Sequence, residues 1–152
     1  MLNPNESDRV RANTAIEINE KIDRQITESV RFYSGKSEDK ITQRIHDLER
    51  EWDMERLLET NASALAFTGL VLGVIRNKKW LFLPGIVLPF LLQHAVQGWC
   101  PPVPLFRRLG VRTREEIERE KFALKALRGD FEEIDSLRRG EEAEDAVEAA
   151  KA

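Results

Sequence analysis

The feature that most constrains this chain is a stretch of 47 residues, 60–106, that is almost free of charge. Its only ionic side chains are Arg76, Lys78 and Lys79, which share one short loop. The other 105 residues carry 48 of the 51 charged side chains, so the average composition of 41% hydrophobic and 34% charged residues hides two kinds of sequence. Such segregation is not typical of one mixed globular core and favours a small membrane protein with polar arms.

Two apolar segments, 57–75 and 80–99, have the length needed to cross a bilayer. As helices they extend about 28 Å and about 30 Å, close to a hydrocarbon core of roughly 30 Å. Trp80 and Trp99 bound the second segment like interfacial anchors. The alternative is a buried hairpin in a soluble bundle, but neither segment has the polar stripe that such a helix usually keeps. We therefore predict a transmembrane hairpin over residues 57–106.

The N-terminal arm, residues 1–56, is predicted to form two amphipathic helices. Apolar residues recur every three or four positions over residues 8–32, and residues 34–37 (Ser-Gly-Lys-Ser) break that pattern. The next helix carries a heptad-like stripe made of Ile41, Ile45, Leu48 and Trp52. Because the stripe lasts less than two heptads, the helices are expected to pair with each other or with a partner subunit rather than form a long coiled coil. Docking on the membrane surface and disorder are the alternatives.

The C-terminal arm is predicted to be helical over residues 107–139 and disordered over the acidic tail 140–152. Prolines should keep residues 100–104 out of any helix. Thr113 and Glu116 match a capping box that opens a helix over about Arg114–Arg128, and Gly129 ends it. One face of this helix carries Ile117, Leu124 and Leu127, and a further short piece contains Phe131, Ile134 and Leu137. The predicted fold class is all-α, a two-span hairpin with cytoplasmic amphipathic helices at both ends.

Lysine and arginine counts predict the orientation. Three basic residues lie in the connector, whereas eight flank the two spans on their other side, which places both termini in the cytoplasm. The start of the chain has no apolar core of a signal peptide, so the internal spans are expected to direct insertion.

Small residues at every fourth or third position form a predicted helix-packing face. The residues are Ala62, Ala66, Gly69 and Gly73, of which the last two make a GxxxG motif. Small side chains allow two helix backbones to approach closely, with the second span or a second copy of the chain as partner.

Three polar residues, Gln93, His94 and Gln97, lie within the second span. A histidine at that depth suggests haem ligation, proton transfer or quinone contact. Without a nearby carboxylate or second ligand in the sequence, hydrogen bonds across the hairpin or to water are the simpler expectation.

Cys100 is the only cysteine, which excludes an intrachain disulfide and a Cys-only zinc site within one chain. At the predicted cytoplasmic border it is a possible thiol site, for S-acylation, a thiol or persulfide relay, or an interchain contact, and its alternative role is structural. The sequence contains no phosphate loop, catalytic serine elbow, zinc spacing or dinucleotide fingerprint, so no catalytic residue, metal or cofactor is predicted.

Residues 98–101 (Gly-Trp-Cys-Pro) and 109–113 (Leu-Gly-Val-Arg-Thr), after two apolar spans and a short basic turn, resemble the YgaP-like transmembrane domain. The resemblance covers roughly residues 61–113 and implies a bacterial inner-membrane hairpin with no assigned function of its own, which in its namesake is fused to a rhodanese and can dimerise. A rhodanese needs a catalytic cysteine in a cytoplasmic loop, so sulfurtransferase activity is not implied here.

The function predicted from the sequence is a non-enzymatic inner-membrane anchor or interaction protein. Its expected partners are the lipid bilayer and a second copy or another membrane protein, and the net charge of −3 gives no basic field for nucleic acid. One alternative is a membrane-surface redox or sulfur-relay component that uses Cys100. Another is a small-ion conduit formed by an oligomer around Gln93, His94 and Gln97.

Overall fold

The computed structural model describes residues 8–131, and this part of the chain is helical without any strand. A short 3₁₀ turn, Lys78–Leu81, joins the two longest apolar helices. The predicted helical piece around Ile134 and Leu137 and the tail 140–152 lie outside the described residues. In chain order the helices are α1 Arg9–Ala12, α2 Ile16–Tyr33, α3 Glu38–Arg50, α4 Met54–Ile75, α5 Phe82–Gln97, α6 Val103–Arg108 and α7 Arg114–Arg128.

Helices α4 and α5 pack against each other as a hairpin. Asp53 caps α4, because its side chain accepts a hydrogen bond from the Arg56 backbone N–H at 2.7 Å, and the helix therefore begins three residues before the predicted span. At the other end of the hairpin, Asn77 accepts from the Lys79 N–H at 2.9 Å and opens the 3₁₀ turn. Gly98 then ends α5 in the left-handed conformation.

The outer surface of this hairpin is apolar and is not covered by any described part of the chain. Phe67, Val74 and Phe82 are 68%, 78% and 74% exposed. Two helical stretches, Glu38–Ile75 and Lys78–Gln97, contain windows long and apolar enough to cross a membrane, with mean hydropathy of 1.5 and 1.4. Only 17% and 6% of the residues in those windows are buried, whereas the core helix of a soluble protein is mostly buried.

Helices α2 and α3 both pack on α7 to form a helical bundle. The bundle core consists of Ile41, Ile45, Leu48, Ile117 and Leu124, with Val30 and Tyr33 packed against it. The sequence predicted that the first two helices pair with each other or with a partner subunit, and that prediction did not include α7. Glu120 of α7 explains the arrangement, because it accepts hydrogen bonds from Ser29 of α2 and Arg44 of α3. Leu127 and Trp52, placed by the sequence on apolar faces, are both exposed.

The predicted continuous helix over residues 8–32 is wrong at residues 13–15, where the chain turns between α1 and α2. Asn19 stabilises the turn, because its side-chain amide donates to the Arg11 carbonyl at 3.0 Å. Asn13 closes α1 and donates its side-chain amide to the carbonyl of Gln97, the last residue of α5, at 2.9 Å. The break therefore lets the four-residue helix α1 dock on the hairpin.

A second apolar cluster, the junction core, joins the base of the hairpin to the rest of the fold. It contains Val10, Met54, Leu58, Cys100 and Val103, with Phe106 and Val111 packed against it. The junction core draws on α1, α4, α6 and the segment between α5 and α6, so both ends of the hairpin meet in one cluster.

The prediction that residues 100–104 stay out of any helix is wrong for its last two residues. Helix α6 begins at Val103 and contains Pro104 in its first turn. The missing N–H of a proline costs nothing in the first turn, because the N–H groups there have no helical acceptor.

Candidate functional site

The predicted small-residue face lies on the side of α4 that contacts the rest of the hairpin. A Cβ added at Gly69 would lie 2.5 Å from Pro84 Cδ and 2.9 Å from Leu83 Cβ, and one added at Gly73 would lie 2.6 Å from Leu81 Cδ2. Both glycines are buried, and Ala62 and Ala66 are half-buried. The structure thus places Leu83 and Pro84 of α5 against Gly69, and Leu81 of the 3₁₀ turn against Gly73.

We expect Gly69→Ala to destabilise the hairpin by about 1–3 kcal/mol, because the added methyl overlaps the Pro84 ring and the Leu83 Cβ of α5. Gly85→Ala is the matched control in the partner helix, since nothing lies within 4 Å of the Cβ it would add. Thermal unfolding of the two variants in mild detergent measures the difference. Equal stability of both variants and wild type would show that the glycines do not set the helix separation.

The three polar residues of the second span do not form one site. Gln93 donates to the Gln97 side chain at 3.4 Å on the outer part of α5. His94 instead is only 8% exposed, and its Nδ1 has no hydrogen-bond partner among the described residues. A buried polar atom without a partner is uncommon in native proteins and needs an explanation.

His94 faces a cavity of about 730 Å³ between the base of the hairpin and the bundle, which we call the basal cavity. A second polar atom here lacks a partner, because Glu55 Oε2 is buried and unbonded in the described part of the chain. Burial raises the pKa of Glu55, which lies just before the first apolar span. The like charges of Asp53 and Asp8 raise this pKa further, whereas backbone hydrogen bonds oppose the shift. The cavity is lined by Asp8, Arg9, Val10, Glu55, Glu59, Ser63, Leu91, His94, Ala95, Gly98, Thr113, Arg114 and Glu115.

One wall of the basal cavity is the contact between α1 and the end of α5. Arg9 donates from Nη1 to the Ala95 carbonyl at 2.6 Å, so its cation satisfies one of the free carbonyls at the C-terminus of α5. Gly98 lies directly against Arg9, because an added Cβ would be 2.4 Å from Arg9 Cβ. The wall therefore depends on a glycine at position 98.

A buried ionic cluster below the cavity holds α1, α2, α6 and α7 together. Its centre is Glu116, whose side chain is fully buried. Arg107 donates to Glu116 Oε2 at 2.6 Å and to Oε1 at 2.8 Å, and Arg11 donates to Oε1 at 2.5 Å. Asn19 accepts a further hydrogen bond from Arg107 at 2.7 Å. We call these four residues the Glu116 cluster. The predicted capping box is present as well, so Glu116 also accepts from the Thr113 N–H.

A second ionic cluster centres on Glu120, one turn further along α7. Besides Ser29 and Arg44, it binds Arg112, which also pairs with Glu51 at the end of α3. Together the two clusters connect every helix of the bundle with the segments on both sides of the hairpin. Ion pairs this deeply buried impose a specific geometry, because removing one partner leaves an uncompensated charge.

Both central carboxylates have lowered pKa values. Burial alone would raise the pKa of Glu116, but hydrogen bonds and charge from Arg107, the Thr113 N–H and Arg11 outweigh it. Burial would likewise raise the pKa of Glu120, but the hydrogen bonds from Ser29, Arg112 and Arg44 and the charge of Arg112 outweigh it. Their ionised forms are therefore stabilised by the fold.

We expect the fold to lose stability in acid. A carboxylate with a lowered folded pKa contributes stability that is present above its ordinary value of 4.5 and disappears as the pH falls through the folded pKa. Melting temperatures of the full chain should be nearly constant from about pH 7 to about pH 5 and decrease below the ordinary glutamate value. A melting temperature that rises on acidification below that value would contradict the ionised state of the two clusters.

Cys100 is 4% exposed and packs in the junction core. Burial raises the pKa of its thiol, only partly opposed by a backbone hydrogen bond from Val103. Reactive cysteines have the opposite environment, an exposed thiol with a lowered pKa. The surroundings of Cys100 therefore favour its structural role over a thiol relay.

Sequence reasoning did not identify the basal cavity or the two ionic clusters. The partners Arg11 and Glu116 are 105 positions apart, and nothing in the local sequence distinguishes them from solvated charges. Among the described residues no group of three or more His, Cys, Asp or Glu side chains is placed to hold a metal ion. In comparisons with family models, curated proteins and solved structures, the chain shows no significant match.

Proposed function

We propose that this protein is a non-enzymatic membrane anchor that holds a rigid helical bundle at the cytoplasmic face of a bacterial inner membrane. The observation that carries this proposal is the uncovered apolar surface of the α4–α5 hairpin, with only 17% and 6% of its two candidate windows buried. Apolar patches on soluble monomers rarely exceed a few hundred Å², so a surface of this kind calls for lipid or a membrane partner.

The connectivity supports placing both arms on one side of the bilayer. Helices α1–α3 precede the hairpin and α6–α7 follow it, yet the two groups share the ionic clusters and the junction core. A hairpin whose two ends meet in one bundle spans the membrane twice and returns to the starting side. The greater number of basic residues at those ends favours the cytoplasm.

The bundle surface supports a role in binding other proteins. Ile16, Phe32 and Phe122 are 66%, 60% and 53% exposed on helices that are otherwise highly polar. Phenylalanines such as Phe32 and Phe122 belong to the aromatic residues that are enriched in protein–protein interfaces. The resemblance to the YgaP-like transmembrane domain agrees with such an anchor, whose added arms would supply the specificity.

Membrane extraction and cysteine labelling test the proposal. The protein should remain in the pellet after carbonate washing and should enter solution only with detergent. In a Cys100→Ala background, a thiol placed by Lys78→Cys in the connector should react with a membrane-impermeant reagent from outside the inner membrane. The control Lys21→Cys on exposed α2 should react only after the membrane is opened.

Two results would contradict the anchor. The first is a monodisperse protein in plain buffer after carbonate extraction, which would make the hairpin an interior element of a soluble assembly. The second is labelling of both positions from the same side without opening the membrane, since that would exclude a two-span topology.

A further inference from the structure

We propose that the basal cavity is a binding site for a primary ammonium group, supplied by a small free amine or by an aminoethyl lipid headgroup. The starting observation is the pair of buried acceptors without partners, Glu55 Oε2 and His94 Nδ1. His94 is more than nine-tenths buried, so water reaches it only through the cavity. A buried acceptor without a hydrogen bond carries a desolvation cost, which a bound donor would recover.

The charge around the cavity selects a cation rather than an anion. Four carboxylates line it against two guanidiniums, those of Arg9 and Arg114, and Arg9 already donates to the Ala95 carbonyl. The carboxylates are those of Asp8, Glu55, Glu59 and Glu115. Each oxygen of Asp8 already accepts a hydrogen bond, one from the Arg11 N–H and the other from the Thr113 hydroxyl. Glu55 therefore offers a buried carboxyl oxygen, and a bound cation would offset the burial and the neighbouring like charges that disfavour its ionised form.

Hydrogen-bonding capacity narrows the ligand to a cation with N–H donors. A neutral histidine protonated on Nε2 presents Nδ1 as an acceptor, and a carboxylate only accepts. A primary ammonium has three N–H donors, enough to serve both atoms, whereas a quaternary ammonium has the charge and no donor. No cluster suited to a metal ion occurs in the described residues.

The size and position of the cavity fit a small organic cation. Its volume of about 730 Å³ is in the range of small-molecule sites, and Val10, Leu91 and Ala95 give it an apolar wall for a short carbon chain. It opens where the hairpin meets the bundle, which is the depth of lipid headgroups if the hairpin spans a bilayer. A free amine and an aminoethyl headgroup would present the same ammonium there.

Calorimetric titration of the full chain with ethanolamine and with choline tests the site. In phosphatidylcholine nanodiscs, ethanolamine should bind saturably and choline at least about tenfold more weakly, because choline lacks the N–H donors. Glu55→Gln and His94→Phe should each weaken ethanolamine binding by about tenfold, and the exposed control Glu17→Gln should not change it. Unchanged far-UV circular dichroism verifies that the variants are folded.

The same titration in nanodiscs of a second lipid composition identifies the source of the amine. If the headgroup is the natural occupant, nanodiscs containing phosphatidylethanolamine should abolish the ethanolamine signal; a retained signal assigns the site to a free amine. Absence of saturable ethanolamine binding in phosphatidylcholine nanodiscs would overturn the proposal, as would equal affinities for choline and ethanolamine. The free-amine titration can also be done in detergent, so its failure is distinguishable from failure of the membrane anchor.

Discussion

Replacing Arg107 with methionine is expected to lower the free energy of unfolding by about 3–5 kcal/mol. Arg107 is 1% exposed and makes two hydrogen bonds to Glu116 and one to Asn19. Methionine fills much of the same volume but leaves Glu116, which is itself fully buried, with Arg11 as its remaining cation. The loss of stability therefore comes from the buried Glu116 carboxylate, which has lost most of the hydrogen bonds and positive charge that stabilised it.

Urea unfolding of the full chain in mild detergent, followed by circular dichroism, measures this cost. Arg108→Met is the matched control, because Arg108 is the next residue of α6 and is exposed. An exposed charge contributes about 0–1 kcal/mol, so the control should unfold almost like wild type. Equal effects of the two substitutions would mean that the Glu116 cluster does not hold the bundle together.

Gly98→Ala is expected to cost about 3 kcal/mol or more and to detach α1 from the hairpin. Two effects combine. The φ angle of +72° at this position disfavours any side chain by about 1–2 kcal/mol. In addition, the added Cβ would lie 2.6 Å from the Arg9 backbone carbon. A backbone atom cannot move away without moving α1. Hydrogen exchange at the α1 amides and the overall melting temperature report the loss.

Gly110→Ala separates the two effects. Gly110 has a similar φ of +88°, but no atom lies within 4 Å of the Cβ that alanine would add. This control should lose only the conformational part, about 1–2 kcal/mol. If both substitutions cost the same, the close contact between α1 and α5 does not contribute to stability.

Local patterns explain why some elements could be predicted from the sequence. The capping box joins Thr113 and Glu116, which are only three positions apart, and the structure confirms it together with the helix end at Gly129. The stripe of Ile41, Ile45 and Leu48 is set by helical periodicity, and these residues are buried as expected. The two apolar helices follow from hydropathy over about twenty residues.

The ionic clusters could not be predicted because they depend on contacts between distant parts of the chain. Arg107 and the exposed Arg108 are adjacent and chemically identical, and only the position of α7 makes one of them a buried ion-pair partner. Asn19 and His94 are similar cases, since each lies in a helix whose pattern does not show what lies opposite. Alternating charges along a helix are typical of solvated faces, whereas tertiary packing brings several of the charges in these arms together inside the fold.

Helix α4 is a single uninterrupted rod, and this has a mechanical consequence. Its first turns carry Met54 and Leu58 of the junction core, while further along the same helix Gly69 packs against α5 and Gly73 against the 3₁₀ turn. No hinge separates the two regions, so a force that tilts the bundle is transmitted as torque along the rod into the apolar hairpin. If the hairpin spans a bilayer, as proposed, a partner that pulled on the polar arms would change the inclination of the hairpin, and the local bilayer thickness would act back on the orientation of the arms.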